Sequence, residues 1–133
     1  MKEPRWISQE VILAVQDELL ARFGGLEGVR DEGLLDFALN RPQHLFFYEE
    51  ASLFGLAAAY ALGIVKNHPF LDGNKRAGFM AAYIFLGANG YNLIASEAEA
   101  VLQTLALAAG EIDQADYASW LKASCKKTNH LNK

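Results

Sequence analysis

Pro69 divides what would otherwise be one long apolar segment. From Ser52 to Asn67 the residues Leu53, Leu56, Ala57, Tyr60 and Ile64 form a stripe of helical period, and the alanines between them allow close packing on the other sides. From about Asp72 to Asn74 a second helix is expected to run to Ala88. It carries Phe79, Tyr83 and Leu86 on one side and Met80, Ile84 and Gly87 on another, a pattern that predicts burial nearly all round. The residue before a proline is steered away from helical backbone, so the first helix must end near Asn67, which suits a left-handed cap. The chain is thereby constrained to two innermost helices joined by a short polar loop, "NHPFLDGNKRAG" from Asn67 to Gly78.

The remaining segments also read as helices. Ile12, Val15, Leu19 and Phe23 share one face, with Ser8 as N-cap and Gly24-Gly25 as a stop. A shorter helix is expected from about Asp31 to Leu39, with Leu34, Leu35 and Ala38 inward, because Pro42 opposes much continuation. The stretch "NRPQHLFFYEE" then reads as a loop, extended around Leu45 to Tyr48. Ser96 with Glu99 predicts a capping box ahead of Val101, Leu102, Leu105 and Ala109, and Asp113 caps a last helix carrying Tyr117, Trp120 and Leu121. No segment reads clearly as a strand. The expected fold is all-α, a compact six-helix bundle over residues 1–125 followed by a polar tail at 126–133, with the polar loop between its two central helices.

Composition narrows what such a bundle can do. A chain of 133 residues, 52% of them apolar, can bury one real core but not two. A net charge of -4 argues against direct nucleic-acid binding, since phosphate backbones are bound by clustered lysine and arginine. The basic residues Lys122, Lys126, Lys127 and Lys133 read as a helix end and a solvated tail, with an interaction tail as the alternative. His44 and His130 read as surface residues. No run approaches the roughly 20 apolar residues of a membrane span, the first residues lack the pattern of a secretion signal, and the lone Cys125 forms no internal disulfide. A cytoplasmic location is the expectation.

Chemistry concentrates in the loop. Taken singly, His68 could bond a backbone carbonyl, Asp72 could cap a helix, Asn74 could make a turn, and Lys75 and Arg76 could be a solvated first turn. Cations at a helix N-terminus oppose the macrodipole, however, unless an anion sits between them. The N–H groups of Gly73, Asn74 and Lys75 are expected to point out of that helix end, where Gly73 allows close approach of a phosphate. Arg76 can grip phosphate oxygens, Asp72 is a hard ligand for Mg2+, and His68 can take a proton from a hydroxyl near neutral pH.

The run "HPFLDGNKR" resembles the signature of the Fic and Doc (death-on-curing) superfamily. "GGL" at Gly24 to Leu26, "LLDFALNRPQ" and "YEEASLF" resemble its small Doc branch, so the likeness spans nearly the whole chain. The resemblance implies His68 as catalytic base and Asp72 as magnesium ligand, with Gly73, Asn74, Lys75 and Arg76 at the phosphates of ATP, the co-substrate. It also implies a flap at Leu45, Phe46, Phe47 and Tyr48 that holds a target protein's segment by strand addition, where the residues alone read equally as a packing loop. AMP-transferring members carry glycine where this chain has Lys75, and a second arginine where it has Phe79. The lysine is shared with Doc, which implies a reversed nucleotide and transfer of the terminal phosphoryl group. Ala77 stands where many Doc-like members have threonine. The superfamily's inhibitory spacing, Ser or Thr four residues before Glu, occurs nowhere in the chain. The resemblance therefore implies an antitoxin partner that folds on binding, and a toxin that modifies a target protein, a translation factor, to block growth. The alternatives are an AMP transferase or a catalytically silent antitoxin-binding module.

Overall fold

Serine or aspartate starts five of the six helices, each by accepting a bond from a first-turn amide that has no partner inside the helix. In the computed structural model, which describes residues 2–128, Ser8 caps α1 (Gln9–Phe23), Asp31 caps α2 (Glu32–Glu49), Ser52 caps α3 (Leu53–Asn67), Ser96 caps α5 (Glu97–Ala109) and Asp113 caps α6 (Gln114–Ser124). The reciprocal capping box expected at Ser96 is found at Asp113 instead, where Asp116 returns a bond to the Asp113 amide at 3.1 Å. The exception is α4 (Asn74–Ala88), which begins at Gly73 with no side-chain cap.

The bundle is built around α3, whose residues Leu56 through Ala61, with Ile64 and Val65, are buried. Small residues bring its neighbours close. A Cβ on Gly78 of α4 would lie 2.6 Å from Val65 Cγ1, and one on Gly63 of α3 would lie 3.0 Å from Ala38 Cβ of α2. The six-helix expectation holds, but several features differ from the sequence reading.

α2 continues past Pro42 to Glu49, so Leu45 to Tyr48 are helical rather than extended. An internal proline costs a helix about 3 kcal/mol. Leu35, Ala38, Leu39, Pro42 and Leu45 nevertheless form one continuous buried stripe against α3, and that burial outweighs the lost backbone bond. The left-handed residue at the end of α3 is His68, not Asn67. In α5 Ala100, Thr104 and Leu107 are buried, whereas Val101, Leu102 and Leu105 are exposed. The helix is apolar on several sides, so its period left the choice open, and the 2.8 Å bond between Thr104 and the buried Tyr117 hydroxyl fixes it. Phe23 of α1 is likewise 55% exposed rather than inward.

Two short strands, β1 (Tyr91–Leu93) and β2 (Cys125–Lys127), pair antiparallel with Tyr91 opposite Lys127. Three residues are too few to show a period, and their partners lie far apart in sequence. The first residues of the expected tail are therefore strand, while His130 and Lys133 lie outside the described residues. His44 is exposed, its ring tilted against that of Tyr48 with centroids 4.9 Å apart. No helix among the described residues is long and apolar enough to cross a membrane.

Candidate active site

The loop between α3 and α4 is held from inside and from outside. Inside, Phe70 is buried and its backbone is clasped by Asn74, whose Oδ1 accepts from the Phe70 N–H and whose Nδ2 donates to the Phe70 carbonyl, both at 3.0 Å. Outside, the connection between α1 and α2 lies across it as a strap. The amides of Arg30 and Asp31 donate to the Pro69 carbonyl at 2.6 and 3.1 Å, and Leu71 N–H donates to the Gly28 carbonyl at 3.0 Å. The Arg30 fork reaches the His68 carbonyl at 2.6 Å through Nε and the Asn67 carbonyl at 2.8 Å through Nη2. Gln16, buried in α1, donates to the Asp72 carbonyl at 2.8 Å.

This bracing leaves the start of α4 bare. Gly73 adopts a left-handed φ of 73°. Its own amide is taken by Asp72 Oδ1 at 2.9 Å, so the unpartnered donors at this helix start are the amides of Asn74, Lys75 and Arg76, one residue further on than expected. The Asn74 side chain is turned inward to Phe70, and only its main chain can serve an anion. Asp72 accepts one bond at each oxygen, the second from Leu26 N–H at 3.2 Å. Gly25 has room for no Cβ, which would sit 2.9 Å from Asp72 Oδ2. No cation pairs with Asp72 among the described residues, where the one ion pair is Arg22 with Glu18. Arg76 instead lies over the Phe23 ring, 4.2 Å from its centroid.

Two clefts open here. The larger, about 700 Å³, has Asp72 to Arg76 on one wall and Phe79, Met80 and Tyr83 of α4 facing Val101 and Leu105 of α5. The smaller, about 490 Å³, is lined by His68, Val65, Leu102, Ala109 and Glu111. Lys75 and Leu105 border both, so His68 stands one side chain away from the anion-ready helix end. The exposed apolar residues Val101, Leu102 and Leu105 of α5 are the far wall of these clefts. Leu45, Phe46, Phe47 and Tyr48 line neither. Leu45 is in the core, Phe46 packs on Trp6 at 5.7 Å, and all four residues are helical with their amides inside α2, so no extended edge is offered there for strand addition.

A metal fits this site only in one way. No cluster of three or more acidic, histidine or cysteine ligands occurs among the described residues. A single carboxylate with spare lone pairs beside a phosphate-sized cradle suits magnesium, which keeps several waters and takes its other ligands from phosphates. Arg30, Gln16 and Phe23 were not singled out by sequence. Arg30 and Gln16 act across long sequence separations and leave no local pattern.

The chain is similar to known proteins. A family model described as Fic/DOC family matches residues 6–86. The chain is 36% identical over 119 residues to a protein named Protein kinase doc from Escherichia phage P1, covering 89% of this chain and 94% of that one. It is 45% identical over 75 residues to Toxin Doc from Mycolicibacterium smegmatis, covering 55% of this chain and 58% of that one.

Proposed function

The chain belongs to the Fic/DOC family, and from that premise we propose that it is a Doc-like toxin that moves the terminal phosphoryl group of ATP to a hydroxyl side chain of a target protein. The observation that carries this reading is the start of α4: the one uncapped helix among the six presents three bare amides, with an unpaired carboxylate and an arginine beside them in one cleft. The amides of Asn74, Lys75 and Arg76 and the Arg76 guanidinium bind the nucleotide's phosphates, and Lys75 adds positive charge between the clefts. Asp72 would hold magnesium, which when bound would supply positive charge beside the phosphates. The acceptor hydroxyl gives its proton to the His68 imidazole as its oxygen bonds to the terminal phosphorus. The bond from that phosphorus to the bridging oxygen breaks, and the nucleoside diphosphate leaves.

Two residues favour terminal transfer over AMP transfer. Lys75 borders both clefts at the position where AMP-transferring members resembling this chain carry glycine. Phe79, with Tyr83 and Trp120 rings at 6.2 and 6.4 Å, forms an aromatic wall where AMP-transferring members resembling this chain place a second arginine. The target we propose is a translation factor. Its restraint is an antitoxin whose segment folds as it binds, with the exposed Phe23, Tyr83 and Val101 around the larger cleft as apolar surface for it to cover.

The test uses ATP labelled on the terminal or the alpha phosphate, incubated with the protein and a bacterial extract. Label entering protein from the terminal position alone is expected; label from the alpha position alone refutes phosphoryl transfer. In cells where the unaltered protein is shown to arrest growth, His68→Ala is expected to abolish the arrest, and retained toxicity identifies a silent binding module.

A further inference from the structure

We infer that Arg30 is a positioning residue for His68, an assignment that rests on the phosphoryl-transfer reading above. Arg30 holds three consecutive carbonyls of the loop: Asn67 through Nη2, His68 through Nε, and Pro69 through its own amide, at 2.8, 2.6 and 2.6 Å. These are the carbonyls where α3 stops. His68 there adopts φ 50° and ψ 57°, a left-handed backbone unfavourable for a residue with a Cβ, and Pro69 follows. Something must hold that turn, because the direction of the imidazole follows from it.

The chemistry of arginine suits the task. Its planar fork can satisfy two neighbouring acceptors at once, and its charge is favourable at the negative end of α3. The guanidinium pairs with no carboxylate among the described residues, so it is spent on the carbonyls. Arg30 lines neither cleft and touches neither the anion-ready amides nor the space a substrate would fill. It therefore acts through His68 and not on the reactants. The cradle is fixed separately, by Asn74 on Phe70 and by Gln16 and Leu26 on Asp72. Loss of Arg30 should misplace the base and leave nucleotide binding intact.

Initial rates of label transfer from γ-labelled ATP to extract protein test this with Arg30→Ala and Arg30→Lys. Arg30→Ala is expected to lower kcat about 10- to 100-fold with KM for ATP nearly unchanged. Arg30→Lys should recover only part, since an ammonium cannot fork, and free guanidinium below denaturing concentrations should raise the rate of Arg30→Ala. Wild-type kcat in Arg30→Ala, or a raised KM with kcat kept, overturns the assignment. Amide exchange, which needs no catalysis, decides separately. The His68 amide, bonded to the Ile64 carbonyl at 3.1 Å, should lose protection in both variants while α4 keeps it. Unchanged protection overturns the positioning role, whereas a wild-type protein that transfers no label refutes the kinase reading and leaves this exchange result standing.

Discussion

Replacing either of two glycines in α4 by alanine should move stability in opposite directions. Any glycine within a helix gains from the change, by up to about 1 kcal/mol, because alanine loses less backbone entropy. At Gly87 nothing lies within 4 Å of the new Cβ, so that gain should be realised in part, about 0.5 kcal/mol near the helix end. At Gly78 the Cβ would meet Val65 Cγ1 at 2.6 Å and the Ala61 carbonyl oxygen at 3.1 Å. The first neighbour is β-branched and restricted to one helical rotamer, and the second is backbone, so neither can move unless α3 and α4 separate. Overpacking costs about 1–3 kcal/mol, and a 2.6 Å approach to neighbours that cannot move puts it at about 2–3 kcal/mol, leaving a net loss of about 1–2 kcal/mol. For a chain of this size that is about 3–10 °C in Tm, against a rise of about 2 °C for Gly87→Ala. Thermal unfolding followed by circular dichroism measures both. Equal shifts of one sign would show that α3 and α4 do not meet at Gly78, Val65 and Ala61 as closely as these distances require.

Asn74→Ala should cost about 2–4 kcal/mol in chemical denaturation, because it leaves the buried Phe70 N–H and carbonyl without their partners; a loss below 1 kcal/mol would place the clasp at solvent. Asp72→Asn should remove the magnesium dependence of ATP binding in calorimetric titrations, and a variant as magnesium-dependent as the parent would move the metal elsewhere. Tyr60 and Tyr117 are pushed up to about 12, chiefly by burial, with the bonds from Ile7 and Thr104 opposing. A raised phenol pKa means stability fully present below the unfolded value near 10 and lost as pH climbs through 12. Melting temperature should accordingly fall steeply above pH 10, and less steeply in Tyr60→Phe; equal slopes would deny Tyr60 a part.

Much of the fold was legible because its signals are local. Serine and aspartate before apolar periods gave the helix starts, and Pro69 gave the break. The candidate site residues could be grouped from sequence in the same way, since His68 to Arg76 fall within nine consecutive positions. Other features were settled by packing between distant parts of the chain. Burial of Pro42 and Leu45 on α3 carried α2 through a proline and removed the expected flap from the site. A hydroxyl pair, Thr104 with Tyr117, chose which face of an all-round apolar α5 turned inward, and so which leucines became cleft walls. The residues that brace the loop, Gln16 and Arg30, lie 56 and 38 positions from the carbonyls Asp72 and His68 that they hold. Sequence alone fixes what a backbone can do within a few residues. Which distant side chain satisfies a given carbonyl depends on where the helices pack, and only the folded chain decides that.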